Sequence, residues 1–390
     1  MDFISFSLNY WDDLWQSRHQ VMEAIARNHK VLFVAPPFTR EQVIANLKTK
    51  RLPKSGLVQR RPNLYSLVFP KWLVHFYRYP RLEKITAYLR DAQVRRAVRR
   101  LGFQDTVLFI WHPDFYDKLG AFGETASCYY VDDDFAGYSG QTKQEIQWIR
   151  EREEVLLRQS DLVFANGSAL LEAKNHYGNA TNVPMCADFD LYSKSRLAET
   201  VVPPDLEAVP HPRIGYIGNI NEKVDFGVFL RLATERPDWS IVIVGPITVQ
   251  LAEYRAQLNR LQALPNVFLL GSKPRDVLPN YIKGFDVCMM CYRLEGWALY
   301  VYPLKLHEYL CSGKPIVGTP LPSIREFSDI VRFANTPEEW LKSVEDALKD
   351  TDPALAAKRV KAAYENRLDE RVRVIEESVE RKIKEKRNAK

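Results

Sequence analysis

The chain has 390 residues, 46% of them hydrophobic and 27% charged, the composition of a globular protein, which excludes a low-complexity or repeat chain. That length is too great for one ordinary domain and suits two of about 150–190 residues. The net charge of +6 divides into +12 over residues 1–100 and −6 over residues 101–390, so a basic first quarter is expected to face an anionic partner.

Met1–Tyr10 has no basic start, long apolar stretch or small-residue cleavage site, and reads as a first strand, Phe3–Leu8, instead of a signal peptide. Leu14–Asn28 is predicted helical, with Leu14, Val21, Met22, Ile25 and Ala26 approximating one apolar face. Val31–Ala35 is a strand stopped by Pro36-Pro37. Pro70–Pro80 is basic and aromatic, and the helix Arg81–Arg100 follows. Leu82, Ile85, Leu89, Val94, Ala97, Val98 and Leu101 give that helix an apolar face. Trp72, Phe76, Tyr77 and Tyr79 have the character of interface anchors, and cations such as Arg95 and Arg96 would favour an anionic membrane surface. The alternative is a buried helix with a solvated arginine face.

Thr106–Trp111, Ser127–Val131 and Asp161–Ala165 are further strands; strands alternating with helices imply a parallel sheet covered on both faces. Four prolines within 203–212 mark a linker. The pattern then restarts with strands Arg213–Ile217, Ile241–Val244, Val267–Leu270, Val287–Met290 and Pro315–Gly318, and with a helix over Phe226–Glu235. Thr336-Pro337-Glu338-Glu339 is a helix start, and Leu355–Arg387 reads as helical. The expected organisation is an α/β domain over 1–200, a linker over 201–212, a second α/β domain over 213–354 and a helical segment over 355–390. No run of about 18 apolar residues is present, so no membrane span is expected. The five cysteines are scattered, which suits reduced thiols. Cys288 and Cys291 share C-x-x-C spacing inside an apolar run, with no second ligand pair for a metal.

Two stretches carry chemistry. Asp132-Asp133-Asp134 follows a strand, and like charges this close raise the pKa of at least one carboxyl, which suits a general base. Asp132-x-Asp134 also has the spacing of a metal-binding pair, and the acids could simply cap a turn. Trp111-His112-Pro113-Asp114 ends the preceding strand, where His112 could meet a substrate hydroxyl or be structural. Arg18 and His19 lie on the first helix, near the loop Asn9–Asp13.

The second stretch is Tyr302–Pro320, where Pro303 can open a helix and Gly313 can end it. Lys305 and Glu308 would share one face of that helix, beside the free N–H groups of its start. A diphosphate at the lysine and a ribose on the glutamate form a coherent nucleotide pose. Lys305 and Glu308 could equally be an ordinary intrahelical pair.

This segment resembles the donor-site signature of GT-B glycosyltransferases, in which a glutamate on this helix holds the ribose. Gly215-Tyr-Ile-Gly218-Asn219, Ile241–Gly245, Asn266–Gly271 and Tyr281–Val287 match in order, over about residues 210–330. The first half matches more loosely, through Asn182–Asp188 and an acid loop like that of the xanthan-type enzymes. The resemblance implies two doubly wound, Rossmann-like domains facing across a cleft. It implies an enzyme of the hexosyltransferase class that builds bacterial surface polysaccharide, close to the teichuronic-acid and xanthan-type branch. Gly218, Asn219, Gly245, Tyr300, Lys305 and Glu308 then hold a nucleotide sugar, with UDP the expected nucleotide. Asp134 or Asp133 serves as base with His112 beside it, and no metal or other cofactor is needed. Many relatives carry two glutamates eight residues apart; here Tyr300 occupies the first position. The expected partners are the donor, a saccharide or lipid-linked acceptor and an anionic membrane surface, with no nucleic acid. The expected place is the cytoplasm, on the inner face of the cell membrane. Inverting and retaining chemistry both remain open. The competing classes are a nucleotide-sugar epimerase or hydrolase on the same fold and a non-catalytic binder of anionic polymers.

Overall fold

The computed structural model describes residues 1–13, 15–49, 52–76, 79–138 and 140–389, with backbone alone for 46–49. Fourteen strands among these residues form two sheets. In the first sheet the strands are β1 (Asp2–Phe6), β2 (Val31–Val34), β3 (Gly56–Arg61), β4 (Leu64–Val68), β5 (Thr106–Ile110), β6 (Ala126–Val131), β7 (Leu162–Ala165) and β8 (Ala180–Asn182). Their spatial order is β3-β4-β2-β1-β5-β6-β7-β8. Every pairing is parallel except the β3/β4 hairpin at one edge. The second sheet holds β9 (Arg213–Ile217), β10 (Ser240–Val244), β11 (Val267–Gly271), β12 (Val287–Met290), β13 (Ile316–Gly318) and β14 (Arg332–Phe333). Its order is β11-β10-β9-β12-β13-β14, and all its pairings are parallel.

Both sheets are of the doubly wound type. Strands β1, β2, β5, β6, β9, β10 and β12 are buried along their whole length or nearly so, as continuous apolar runs between two helix layers must be. On β12, Cys288 belongs to one apolar cluster and Cys291, just past its end, to the other. The two thiols therefore lie on opposite faces of the sheet and cannot share a metal ion. In each sheet the winding reverses beside the first strand, at β1/β5 and at β9/β12. The carboxyl ends of those strands are where such sheets bind ligands.

Chain contacts divide the protein into Met1–Pro184 with Arg371–Lys390, and Met185–Glu370. The boundary therefore precedes the proline-rich 201–212 segment, whose Leu206 and Val209 are buried in the core of the second unit. The last helix, Leu368–Asn388, returns to the first unit instead of standing as a separate segment. Val372, Ile375, Val379 and Ile383 line its buried stripe, a helical spacing. Lys386 Nζ reaches both oxygens of Asp161, at 2.9 and 2.8 Å.

Local signals account for several helix starts. Thr142 and Thr336 each close a capping box, with Glu145 and Glu339. The first helix is Ser17–Ile25, shorter than the predicted span, whose Leu14 lies outside the described residues. The helix Pro80–Leu101 departs from its predicted face. Its second half buries Val94 and Ala97, but Leu82, Ile85 and Leu89 in its first half are exposed, and the side chains facing inward there are Thr86 and Arg90. No helix among the described residues is long and apolar enough to cross a membrane.

Candidate active site

In the second unit, β9 runs into Gly218 (φ +151°) and β10 into Gly245 (φ +149°). A Cβ on Gly245 would lie 2.0 Å from the Gly218 carbonyl oxygen, and one on Gly218 would lie 2.7 Å from Lys305 Nζ. Two adjacent strand ends are thus kept bare, and Lys305 fills the space above one of them. The helix carrying Lys305 spans Leu304–Leu310, with Pro303 as its cap. It is pinned to β9 by the Tyr309 hydroxyl, which accepts the Ile217 N–H at 2.8 Å.

Lys305 is buried, donates to the Tyr292 hydroxyl at 2.7 Å, and sits 5.0 and 5.2 Å from the ring centres of Tyr216 and Tyr292. Burial raises the pKa of both phenols, so each stays neutral and presents its ring and oxygen to the ammonium group. With only seven residues, this helix contributes little dipole at its start, and the positive charge at the site is mainly that of Lys305. One turn on, Glu308 is partly exposed. Burial raises its pKa, against the opposing pulls of Lys305, the Tyr192 hydroxyl that bonds it, and Arg275. The Asn219 carbonyl accepts from the Tyr216 hydroxyl at 3.3 Å, and the Asn219 side chain accepts from Thr248 at 2.8 Å. Tyr300 ends the short turn Gly296–Tyr300 and is half-buried. A second cation, Lys223, lies 5.8 Å from the Tyr292 ring and 6.0 Å from the Trp297 ring.

In the first unit the three acids after β6 have separate partners. Asp134 accepts from Lys174 at 3.0 Å; Lys174 also holds Glu153 at 2.8 Å, and Glu153 accepts from Tyr129 at 3.0 Å. Asp133 accepts the Asp134 N–H at 2.9 Å and the Tyr138 hydroxyl at 2.8 Å. The Asp132 side chain is only 7% exposed, with Oδ2 3.6 Å from an Arg18 guanidinium nitrogen, while Oδ1 meets no hydrogen-bond partner among the described residues. Burial raises the Asp132 pKa, and Arg18 opposes it. Asp132 and Asp134 are each turned to a different cation, an arrangement that does not suit one shared metal ion.

His112, at the end of β5, is buried edge-on against Phe135 at 4.4 Å, and its Nδ1 accepts the Asp114 N–H at 3.2 Å. Burial pushes its pKa down to about 4, below its unfolded value of about 6.5. Between these values the unfolded chain binds more protons. The stability contributed by neutral His112 is therefore present above pH 6.5 and lost as the pH falls toward 4, about 3 kcal/mol in all. Urea unfolding at about pH 7 and about pH 5 should show this loss, and a His112→Gln chain should show less of it. The Arg18 guanidinium acts on both His112 and Asp132, which places the three together at the ends of neighbouring strands. His19 is fully buried, stacked between Trp15 and Phe33, and its Nδ1 accepts the Gln16 N–H.

Of the expected membrane residues, Trp72 is well exposed and Arg96 is exposed. Phe76 instead packs against the cluster of Phe38, Val68 and Val74, and Arg95 donates to the Ala121 carbonyl and lies over Tyr88. Tyr77 lies outside the described residues.

Residues 211–350 match the family described as Glycosyl transferases group 1. This segment is a group 1 glycosyl transferase domain. The glycosyl transferase domain contains all of the second-unit site described above except Tyr192, which precedes it. A Bacillus subtilis protein described as a putative teichuronic acid biosynthesis glycosyltransferase, TuaH, is 37% identical over 110 residues, 28% of this chain and 27% of the relative. The match thus spans about a quarter of that relative's length. Solved structures extend the likeness to the whole fold. A trehalose-6-phosphate structure from E. coli bound with UDP-2-fluoro glucose has a TM-score of 0.70 at 12% identity, covering 97% of this chain and 99% of that one. Anabaena HepE in complex with UDP has a TM-score of 0.67 at 14% identity, covering 97% and 100%. The fold is therefore of the GT-B type, with two Rossmann-like sheets, as the motifs implied.

Sequence reasoning missed Tyr292, Lys223 and the Arg18–Asp132 pair. Tyr292 reads as the tail of an apolar strand, and nothing local reveals that its hydroxyl receives Lys305. Arg18 and Asp132 are brought together only by the pairing of β1, β5 and β6.

Proposed function

We propose that the chain is a glycosyltransferase of polysaccharide synthesis that takes a sugar from a UDP-sugar. The acceptor is a saccharide, carried on a lipid at an anionic membrane surface on the cytoplasmic side. The observation that carries this reading is the buried Lys305 over the Gly218 strand end, which Gly245 adjoins, with Glu308 one turn away. Lys305 would neutralise the departing diphosphate and Glu308 would accept from the ribose hydroxyls. No divalent cation is then required for the leaving group.

The acceptor hydroxyl would be met by the acid loop of the first unit. Asp134 and Asp133 are the acids the motif points to, yet both carboxylates are engaged within the fold. Asp132 is the better candidate, because its Oδ1 is buried with no hydrogen-bond partner among the described residues and the Arg18 guanidinium lies 3.6 Å from its other oxygen. Asp132 would accept the hydroxyl's hydrogen bond and, in an inverting transfer, its proton.

The test is incubation of the full chain with radiolabelled UDP-sugars, with and without a bacterial lipid extract. Label should pass to a lipid-soluble product and UDP should be released, with chelator present or absent. Turnover of donor alone to an epimer or to free sugar would favour the epimerase or hydrolase, and no turnover of any donor would remove the proposal.

A further inference from the structure

We infer that the first turns of the helix Pro80–Leu101, with Arg96 and Arg100 further along, are the surface that docks this protein on an anionic lipid bilayer. The inference rests on the membrane association proposed above and is independent of the donor chemistry.

The apolar side chains here are turned outward. Leu82, Ile85 and Tyr88 are 47%, 58% and 67% exposed, and Leu89 is exposed beside them. At 100° per residue, Leu82, Ile85 and Leu89 fall within about 60° of one another and form a ridge about 10 Å long. Arg96 and Arg100 continue the same face and are both exposed. Arg81, Lys84 and Arg99 flank it and are exposed too.

The acids of the helix are withdrawn from this surface. The chain has only two over these residues, Glu83 and Asp91. Glu83 is ion-paired with the buried Arg90, accepts the Phe76 N–H at 2.7 Å, and lies 3.3 Å from His75. Asp91 lies 3.0 Å from Lys118. The ionic charge left on the exposed side is therefore wholly positive. Clustered aliphatic and aromatic side chains beside unopposed cations match the two layers of an anionic bilayer surface: acyl chains for the ridge, lipid phosphates for the cations. A second copy of the chain would bring its own cations to the same patch and repel it. An acidic protein partner would satisfy the charge, but offers no particular use for the solvent-facing aliphatic ridge.

The experiment is flotation of the full chain with vesicles of phosphatidylcholine alone and of phosphatidylcholine with phosphatidylglycerol. The chain should float with the anionic vesicles and not the neutral ones, and added salt should weaken the association. An Ile85→Asp/Leu89→Asp chain should bind at least ~10-fold more weakly. An Arg96→Glu/Arg100→Glu chain should lose affinity by a similar factor. Calorimetry with UDP serves as the folding control and should be unaltered in the Ile85→Asp/Leu89→Asp chain. If no chain binds UDP, the donor assignment fails and the vesicle result still stands. The docking surface is overturned if the wild-type chain does not float with anionic vesicles or if both double variants float as it does. It is also overturned if the wild-type chain sediments as a dimer that Ile85→Asp/Leu89→Asp converts to monomer.

Discussion

Asp132→Asn should lower turnover about 100-fold or more while leaving UDP affinity within about twofold. The substitution keeps the shape of the side chain and removes its negative charge. In the native loop, Oδ2 faces Arg18 and Oδ1 is buried with no hydrogen-bond partner among the described residues, an arrangement costly to maintain unless a substrate hydroxyl uses it. An amide there could still accept a hydrogen bond, but could not take a proton and would confront Arg18 with a neutral dipole. The neighbouring acids have different roles. Asp134→Asn should loosen the Lys174–Glu153–Tyr129 network, and its effect should appear as lost stability along with lost rate. Measured kcat, KM and urea midpoints separate the two cases. Asp132→Asn with normal turnover would remove this residue from the reaction. A product that retains the donor's anomeric configuration would leave it an orienting group instead of a base.

Lys305→Met should raise the Kd for UDP roughly 10- to 100-fold, the value of a charge-assisted contact with diphosphate of about 1.5–3 kcal/mol. Its effect on turnover should be larger, about 10²–10³-fold, because charge on the leaving diphosphate grows in the transition state. Methionine keeps most of the stem in the space between Gly218 and the two tyrosine rings, so the loss is mainly one of charge. The Tyr292 hydroxyl would lose its donor, a cost to stability of about 1–3 kcal/mol that should be measured separately. Arginine is not a conservative replacement here. Its planar head is wider than an ammonium group, and a Cβ on Gly218 would already lie 2.8 Å from Lys305 Cε.

The parts of this molecule that are legible in the sequence are those set by local rules. Strands β9 and β12 follow from continuous apolar runs, and the Thr336 helix start from its capping box. The Gly218 and Gly245 positions follow from strand ends that need a bare backbone. Long-range pairing hides the rest. The β3/β4 hairpin at the sheet edge mixes exposed and half-buried residues on β3, so it shows no strong apolar run. The last helix carries an apolar stripe in plain view, but which unit it joins depends on Asp161, more than 200 residues earlier. Leu82, Ile85 and Leu89 have the spacing of a core face, and only the packing of Thr86 and Arg90 shows that the helix is turned the other way. Of the three acids, the resemblance to the xanthan-type loop favours the later two. Their side-chain partners, Tyr138 and Lys174, are the information the sequence reading lacked.

Calorimetric titration of the full chain with UDP decides whether Lys305 and Glu308 form a donor site. One saturable site per chain is expected, with a Kd on the order of 1 µM to 1 mM, the usual range for such substrates. UMP should bind the wild-type chain markedly more weakly, and so should UDP the Lys305→Met chain. No binding heat at millimolar UDP, or equal affinity in the wild-type and Lys305→Met chains, would contradict the donor site.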